Sequence, residues 1–234
     1  MAALEQLLAR QGLWRGGTLA TAVAAVPSGF ATLDNELPGD GWPRQGLTEV
    51  LADGDGIGEL ALILPVLGRL ARAGERIVFL APPYEPYAPA LAAAGVDLVN
   101  LLVVRPAQRV DTLWAAEQAL RSGSCHALAA WLPKVRYVEL QRLALAAQAS
   151  KALAWLFRPL AAATESSPAC LRLALSRAAG DLAVHIVKRR GVPLATAIHL
   201  PLDRPFHVVG RASLSRACAA ATAAARRVGL PVHA

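Results

Sequence analysis

Along the middle of the chain, apolar residues recur in two textures that alternate with each other, compact continuous runs and longer stretches at helical spacing. Leu47 to Leu51, Arg76 to Leu80, Leu101 to Val104, Ala127 to Leu132 and Ala152 to Phe157 are short apolar runs of the kind that form strands buried on both faces. Between them, Leu60 to Ala73, Tyr87 to Gly95, Thr112 to Ser122 and Tyr137 to Lys151 carry the helical pattern, and Gly74 closes the first of these as a helix C-terminus. Strands separated by helices imply a mostly parallel sheet with right-handed crossovers, so the predicted class is α/β. A polar segment is expected from Arg158 and Pro159 onward. Beyond it, Leu171 to Ser176 and Ala183 to Lys188 alternate apolar with polar around Gly180-Asp181, which predicts an antiparallel C-terminal hairpin at the sheet edge.

The flanks differ in texture. Leu4, Leu7 and Leu8 sit at helical spacing and predict a short amphipathic helix over residues 2 to 10, a candidate to dock on a partner or to cap its own domain. The ending is rich in Ala and Arg with weak apolar anchors and is expected to form a tail. The predicted organisation is an N-terminal helix and linker over residues 1–25, a core over 26–210, and a basic tail over 211–234.

With 234 residues and 55% hydrophobic content, the chain can bury one sizeable core. Charged residues interrupt every apolar stretch before the roughly 18 residues that a membrane span needs. The N-terminus lacks the order of a secretory signal, so a soluble cytoplasmic protein is expected. Cys125, Cys170 and Cys218 are far apart, and the His residues are scattered, so neither a metal site nor a catalytic constellation is predicted. The net charge of +7 favours nucleic acid or an acidic partner, although a genome that encodes Arg freely gives the same balance. Lys188, Arg189 and Arg190 form the strongest basic run, and Arg211, Arg216, Arg226 and Arg227 add a second basic surface. Both are candidates for DNA or partner binding, with a solvated strand end as the plainer reading of the first.

The segment between the first strand and the first long helix carries the most chemical information. LADGDGIGELAL lies where a nucleotide-binding chain carries G-x-x-x-x-G-K-[ST]. Gly54, Gly56 and Gly58 keep the flexibility of a phosphate loop, but Asp53 stands at the first motif glycine, Glu59 at the lysine and Leu60 at the hydroxyl residue. Asp53, Asp55 and Glu59 repel a triphosphate, and no residue here replaces the lysine charge or the Mg²⁺-binding hydroxyl. An ordinary glycine turn between strand and helix accounts for the glycines as well.

Several segments together resemble the RecA-like ATPase core over roughly residues 26 to 190. They are Ser28-Gly29-Phe30 with Leu33-Asp34, Gly41-Trp42-Pro43 with Gly46, the strand at Ile77 to Leu80, and GVDLVNLLVVRP. The LW-RGG stretch near the N-terminus and VKRRG-P near residue 190 resemble ImuA, the RecA-related protein of damage-inducible mutagenesis cassettes. GLTEV, LLVVRP, ALRSG, AAWL and FRP at Phe157 to Pro159 are similar to segments shared by ImuA and the division inhibitor SulA. The RecA resemblance implies a mostly parallel sheet flanked by helices. It also implies two catalytic carboxylates, and the matching positions read Ala81-Pro82-Pro83, with Glu85 beyond them, and Trp131 or Leu132. The expectation is therefore a protein without ATPase activity, cofactor or metal. The ImuA resemblance implies an accessory factor in translesion DNA synthesis, working with an ImuB-like polymerase homologue and an error-prone DnaE-type polymerase, with RecA and DNA as further contacts, as a monomer or hetero-complex. The alternative is a SulA-like inhibitor that binds FtsZ, which explains the altered loop equally well but the segments at residues 27–46 and 171–191 poorly. Tyr84 and Tyr87 are candidate stacking positions for single-stranded DNA, whereas Trp131 and Phe79 are expected in the core.

Overall fold

The computed structural model describes residues 24–178 and 180–201. The predicted helix carrying Leu4, Leu7 and Leu8 and the arginines at 211, 216, 226 and 227 lie outside these residues.

An eight-stranded mixed sheet forms the centre of the molecule. Its strands are β3 (Leu47–Ala52), β4 (Ile77–Leu80), β5 (Leu101–Val104), β6 (Ala127–Trp131), β7 (Leu153–Pro159), β8 (Leu171–Ala178), β9 (Asp181–Lys188) and β10 (Ile198–Leu200). They lie side by side in the order β10-β9-β8-β3-β7-β6-β4-β5. All neighbours from β8 to β5 are parallel, while β9 pairs antiparallel with both β8 and β10. The fold is thus mixed α/β, mostly parallel with an antiparallel edge.

Alternation along each strand divides the core between the two faces of the sheet. Val50, Ile77, Phe79, Ala129, Trp155 and Leu173 belong to one apolar cluster with Leu62, Ile63, Val66 and Leu67 of helix α2 (Glu59–Arg72). Val78, Leu80, Leu128, Ala130 and Leu156 belong to a second with helices α4 (Arg109–Arg121) and α5 (Tyr137–Ala149). Because both faces are covered, the central strands read as continuous apolar runs, and the helices between them supply the long crossovers that parallel pairing requires. A short helix, α3 (Ala88–Ala93), and a 3₁₀ turn (Leu98–Asn100) connect β4 to β5.

The segment ahead of β3 folds onto the α2 face. A two-stranded ribbon of β1 (Ala25–Val26) and β2 (Trp42–Pro43) frames the short helix α1 (Ala31–Asp34). Asp34 Oδ1 accepts a hydrogen bond from the Ser28 amide at 2.7 Å, which closes the intervening loop. Gly29 has φ +100°, and a Cβ there would stand 2.5 Å from the Pro65 side chain of α2, so glycine is required by close approach as well as by conformation. Leu33, Leu37 and Trp42 are fully buried, with Trp42 edge-on to Trp155 at 5.6 Å between ring centres.

Three expectations are corrected. The predicted hairpin forms but is not the edge, because β10 covers β9 and β8 joins the parallel sheet through β3. Arg158 and Pro159 continue β7 rather than opening a polar segment, and Leu160–Thr164 is a 3₁₀ turn. Helix α4 begins at Arg109, earlier than Thr112, since Asp111 and exposed Val110 occupy its polar first turn and interrupt the apolar pattern.

Candidate functional site

The glycine turn joins the carboxyl end of β3 to the start of α2. Gly54, Gly56 and Gly58 have φ of +132°, +77° and +120°, conformations that favour glycine, so their presence follows from the backbone path itself. Glu59, the first residue of α2, folds back over the turn. One carboxylate oxygen accepts the Gly56 amide at 2.8 Å and the other accepts the Gly58 amide at 3.1 Å. Backbone amides at the start of a helix are the groups with which a phosphate loop holds its anion. Here a side-chain carboxylate from the same turn already occupies two of them. Leu60, at the position of the metal-binding hydroxyl, instead packs against the core.

Beside the turn lies a pocket of about 410 Å³ at the carboxyl ends of the central strands. Asp53, Asp55 and Glu59 line one side, and Ala81, Trp131 and Phe157 are among the apolar lining residues. Trp131 stands at the end of β6, where the RecA resemblance implies a carboxylate. It stacks on Phe157 with ring centres 4.6 Å apart and meets Phe79 edge-on at 5.7 Å. Ala81 turns with φ +51° immediately after β4, a left-handed conformation that costs a non-glycine residue about 1–2 kcal/mol. Glu85 is on the surface, paired with Arg105 at 2.8 Å.

Under the same strand ends is a charged cluster that sequence reasoning missed. Glu49, fully buried at the centre of β3, receives Arg158 Nη1 at 3.0 Å and Arg172 Nε at 2.5 Å. Arg158 also reaches Glu165 at 2.7 Å. Arg172 donates to the carbonyl oxygens of Ala162, Ala163 and Glu165, pinning the 3₁₀ turn over this face. The sequence signal was a lone Glu inside an apolar strand, since a buried carboxylate in that position demands a cationic partner.

The residues of the basic run differ in their surroundings. Lys188 Nζ donates to the Ser167 carbonyl at 2.8 Å. Arg189 is buried against the carboxylate and carbonyl of Glu36, 2.9 Å from the former. Arg190 lines a notch beside Cys170. Of the three, Arg189 is the one paired with a carboxylate among the described residues, while Lys188 is exposed and Arg190 half-buried. Tyr84 and Tyr87 are exposed, and Phe79 and Trp131 are buried.

Among the described residues β5 is a free edge of the sheet, and its sequence does not single it out. Leu102 of that strand is 58% exposed, Val99 78% and Trp114 of α4 62%. Together they border a groove of about 650 Å³ that continues to Arg76 and Cys125. Burial pushes the Cys125 thiol up to about 11 and raises that of Cys170 as well, so neither is an activated nucleophile. Among the described residues, no group of three or more His, Cys, Asp or Glu is placed to hold a metal, and no helix is long and apolar enough to cross a membrane.

Fold and site together define a mixed α/β protein whose loop resembles a phosphate-binding turn filled by its own glutamate. Its relatives were identified by sequence. The family described as "Cell division inhibitor SulA" matches residues 47–154. A SulA of Edwardsiella piscicida is 32% identical over 118 residues, spanning 50% of this chain and 70% of that protein. The chain belongs to the SulA family. A Yersinia pestis SulA is 28% identical over 112 residues, 48% of this chain and 67% of that protein. A RecA of Picosynechococcus is 32% identical over 102 residues, 44% of this chain but only 29% of that protein. The crystal structure of SulA from Pseudomonas aeruginosa is 24% identical, with a TM-score of 0.41, over 48% of this chain and 97% of that one.

These matches overturn the ImuA resemblance in favour of SulA. The role in translesion synthesis falls with it, as do its proposed contacts with an ImuB-like homologue, a DnaE-type polymerase, RecA and DNA. The misleading segments, 27–46 and 171–191, lie outside the matched span. In the structure they extend the core, one capping α2 and the other adding strands to the sheet.

Proposed function

We propose that the protein is a non-catalytic, cytoplasmic inhibitor of cell division that acts by binding FtsZ. The observation that carries this reading is its membership of the SulA family, through a match spanning 70% of a relative named as a division inhibitor. The filled glycine turn supports the absence of catalysis. With Glu59 on the amides of Gly56 and Gly58, and Trp131 near the position of a metal-orienting carboxylate, the parts that stabilise phosphoryl transfer are missing. The RecA match supports descent of the core from a RecA-type ATPase whose chemistry has been lost.

A protein that acts without turnover must act through a surface, and the β5 edge is the best suited. An edge strand offers unpaired backbone groups, and here it is bordered by exposed Val99, Leu102 and Trp114. FtsZ is its proposed occupant. Controlled expression of the protein in its bacterial host is expected to produce filamentous cells, with filamentation lost in Leu102→Asp/Trp114→Ala while the protein remains folded and abundant. Normal cell length at high levels of the unaltered protein would remove the division reading.

A further inference from the structure

Helices α4 and α5 pack side by side over the second apolar cluster and leave between them a groove of about 490 Å³. Its apolar lining is Val110, Leu113, Trp114, Val138 and Leu143. Val110 and Trp114 lie one helical turn apart on α4, Val138 belongs to the first turn of α5, and all three are exposed. Large apolar side chains gathered in a concave surface and rimmed by charge mark a contact surface, and tryptophan is the side chain that most often anchors one. The rim is a separate observation. Two carboxylates sit low in the groove, Glu117 with 8% of its side chain exposed and Glu139 with 11%. Each is shared by two guanidinium groups, Glu139 by Arg109 and Arg136, and Glu117 by Arg121 and Arg142. One carboxylate neutralises one guanidinium, so each trio carries a surplus positive charge. That surplus faces water, since the Arg136 side chain is 82% exposed and that of Arg142 65%. Asp111 is exposed on the same helix as Arg109 but does not line the groove.

We propose that this groove receives an acidic amphipathic helix of a partner protein. The apolar stripe of that helix covers Val110, Trp114 and Val138, and carboxylates flanking the stripe pair with Arg136 and Arg142. A helix fits because the groove between two side-by-side helices takes the side-chain ridge of a third. Acidity fits because a guanidinium that shares one carboxylate keeps unused donors for another. A nucleic acid supplies the negative charge but leaves the apolar lining uncovered. The flanks of the chain have the wrong charge for the site. Residues 1–23 carry Glu5 against Arg10 and Arg15, and residues 202–234 carry Asp203 against five arginines. The proposal does not rest on the division reading.

The test is titration of the full chain into a fluorescently labelled helical peptide, acetyl-SELEELLEELQE-amide, followed by anisotropy. Three comparison probes are the same peptide with Gln for every Leu, the same peptide with Lys for every Glu, and a short DNA duplex. Saturable binding of the first peptide is expected, weakened by added salt, with no saturable binding of the other three. Arg136→Gln/Arg142→Gln, which leaves each glutamate one arginine, is expected to weaken binding about tenfold or more with the thermal melt retained. Val110→Ser/Val138→Ser, at exposed positions, is expected to weaken it to a similar extent. No saturable binding, equal binding of the Gln peptide or of DNA, or full binding by either variant would each overturn the proposal. So would a dimer of the chain that dissociates in Val110→Ser/Val138→Ser, which would seat a second copy in the groove, or tighter peptide binding after deletion of residues 2–10, which would seat the chain's own start there. Trp114 borders both this groove and the β5 edge, so the variants leave it and Leu102 unchanged. Failure here therefore leaves the division reading to its own test.

Discussion

At the scale of single residues, the molecule is governed by where its carboxylates are held. Glu59 closes a turn, Glu49 anchors two arginines, and Asp53 and Asp55 remain on a pocket wall. Glu49 matters most for stability, because removing one partner of a buried ion pair strands the charges of the others. Glu49→Ala is expected to lower unfolding free energy by about 3–5 kcal/mol, measured by urea denaturation. A loss below about 1 kcal/mol would show the cluster to be solvated and weak. Of these residues, only the loop set was legible in the sequence, since Asp53, Glu59 and Leu60 depart from a motif of fixed spacing. The partners of Glu49 are distant in the chain, at 158 and 172, and are joined only by parallel pairing of β3 with β7 and β8. Trp131 could be placed near the pocket from its position at a strand end. That its indole nitrogen is buried without an acceptor among the described residues could not be read in the same way, because hydrogen-bond satisfaction is a property of the packed structure.

At the scale of elements, the parallel strands were readable because burial on both faces makes each a continuous apolar run. Helix α2 was readable because its buried positions recur every three or four residues. Strand β10 and the 3₁₀ turn at 160–164 were not, since each is held by tertiary contacts, β10 by pairing with β9 and the turn by Arg172. Helix ends likewise depend on local pairing. At the start of α5, Glu139 accepts the Arg136 amide at 2.8 Å and is bound by the guanidinium groups of Arg136 and Arg109. Partial burial acts to raise its pKa, but these hydrogen bonds and the nearby positive charge outweigh it and hold the carboxyl below the usual range. Its contribution to stability is therefore present above the ordinary carboxylate range and is lost as pH falls through the depressed value. Relative to Glu139→Gln, the unaltered protein is expected to have the higher Tm at neutral pH, with the gap closing as the pH falls below the ordinary carboxylate range. A gap independent of pH would mean that the charge of Glu139 contributes nothing.

At the scale of the whole molecule, a mostly parallel α/β core was visible in the chain, while the choice between the ImuA and SulA resemblances was not. Segments 27–46 and 171–191 weighed towards ImuA because the SulA resemblance accounts for neither of them. Their pattern is that of core packing, with Leu33, Leu37 and Trp42 on one side and β8 and β9 on the other. Such packing carries no information about a partner, and the same holds for Arg189, whose charge is paired with Glu36 of the protein itself. The exposed β5 edge escaped notice because Leu101 to Val104 reads like any buried strand, and only the sheet order leaves it without a second neighbour among the described residues. The central claim is that this surface, without turnover, arrests FtsZ. Its most direct test is sedimentation of purified FtsZ from the same organism with GTP, with and without the purified protein. The account predicts that the protein forms a complex with FtsZ and reduces pelleted polymer in proportion to its concentration, with no hydrolysis of ATP by the protein itself. Undiminished polymer and no complex at several-fold molar excess would contradict it.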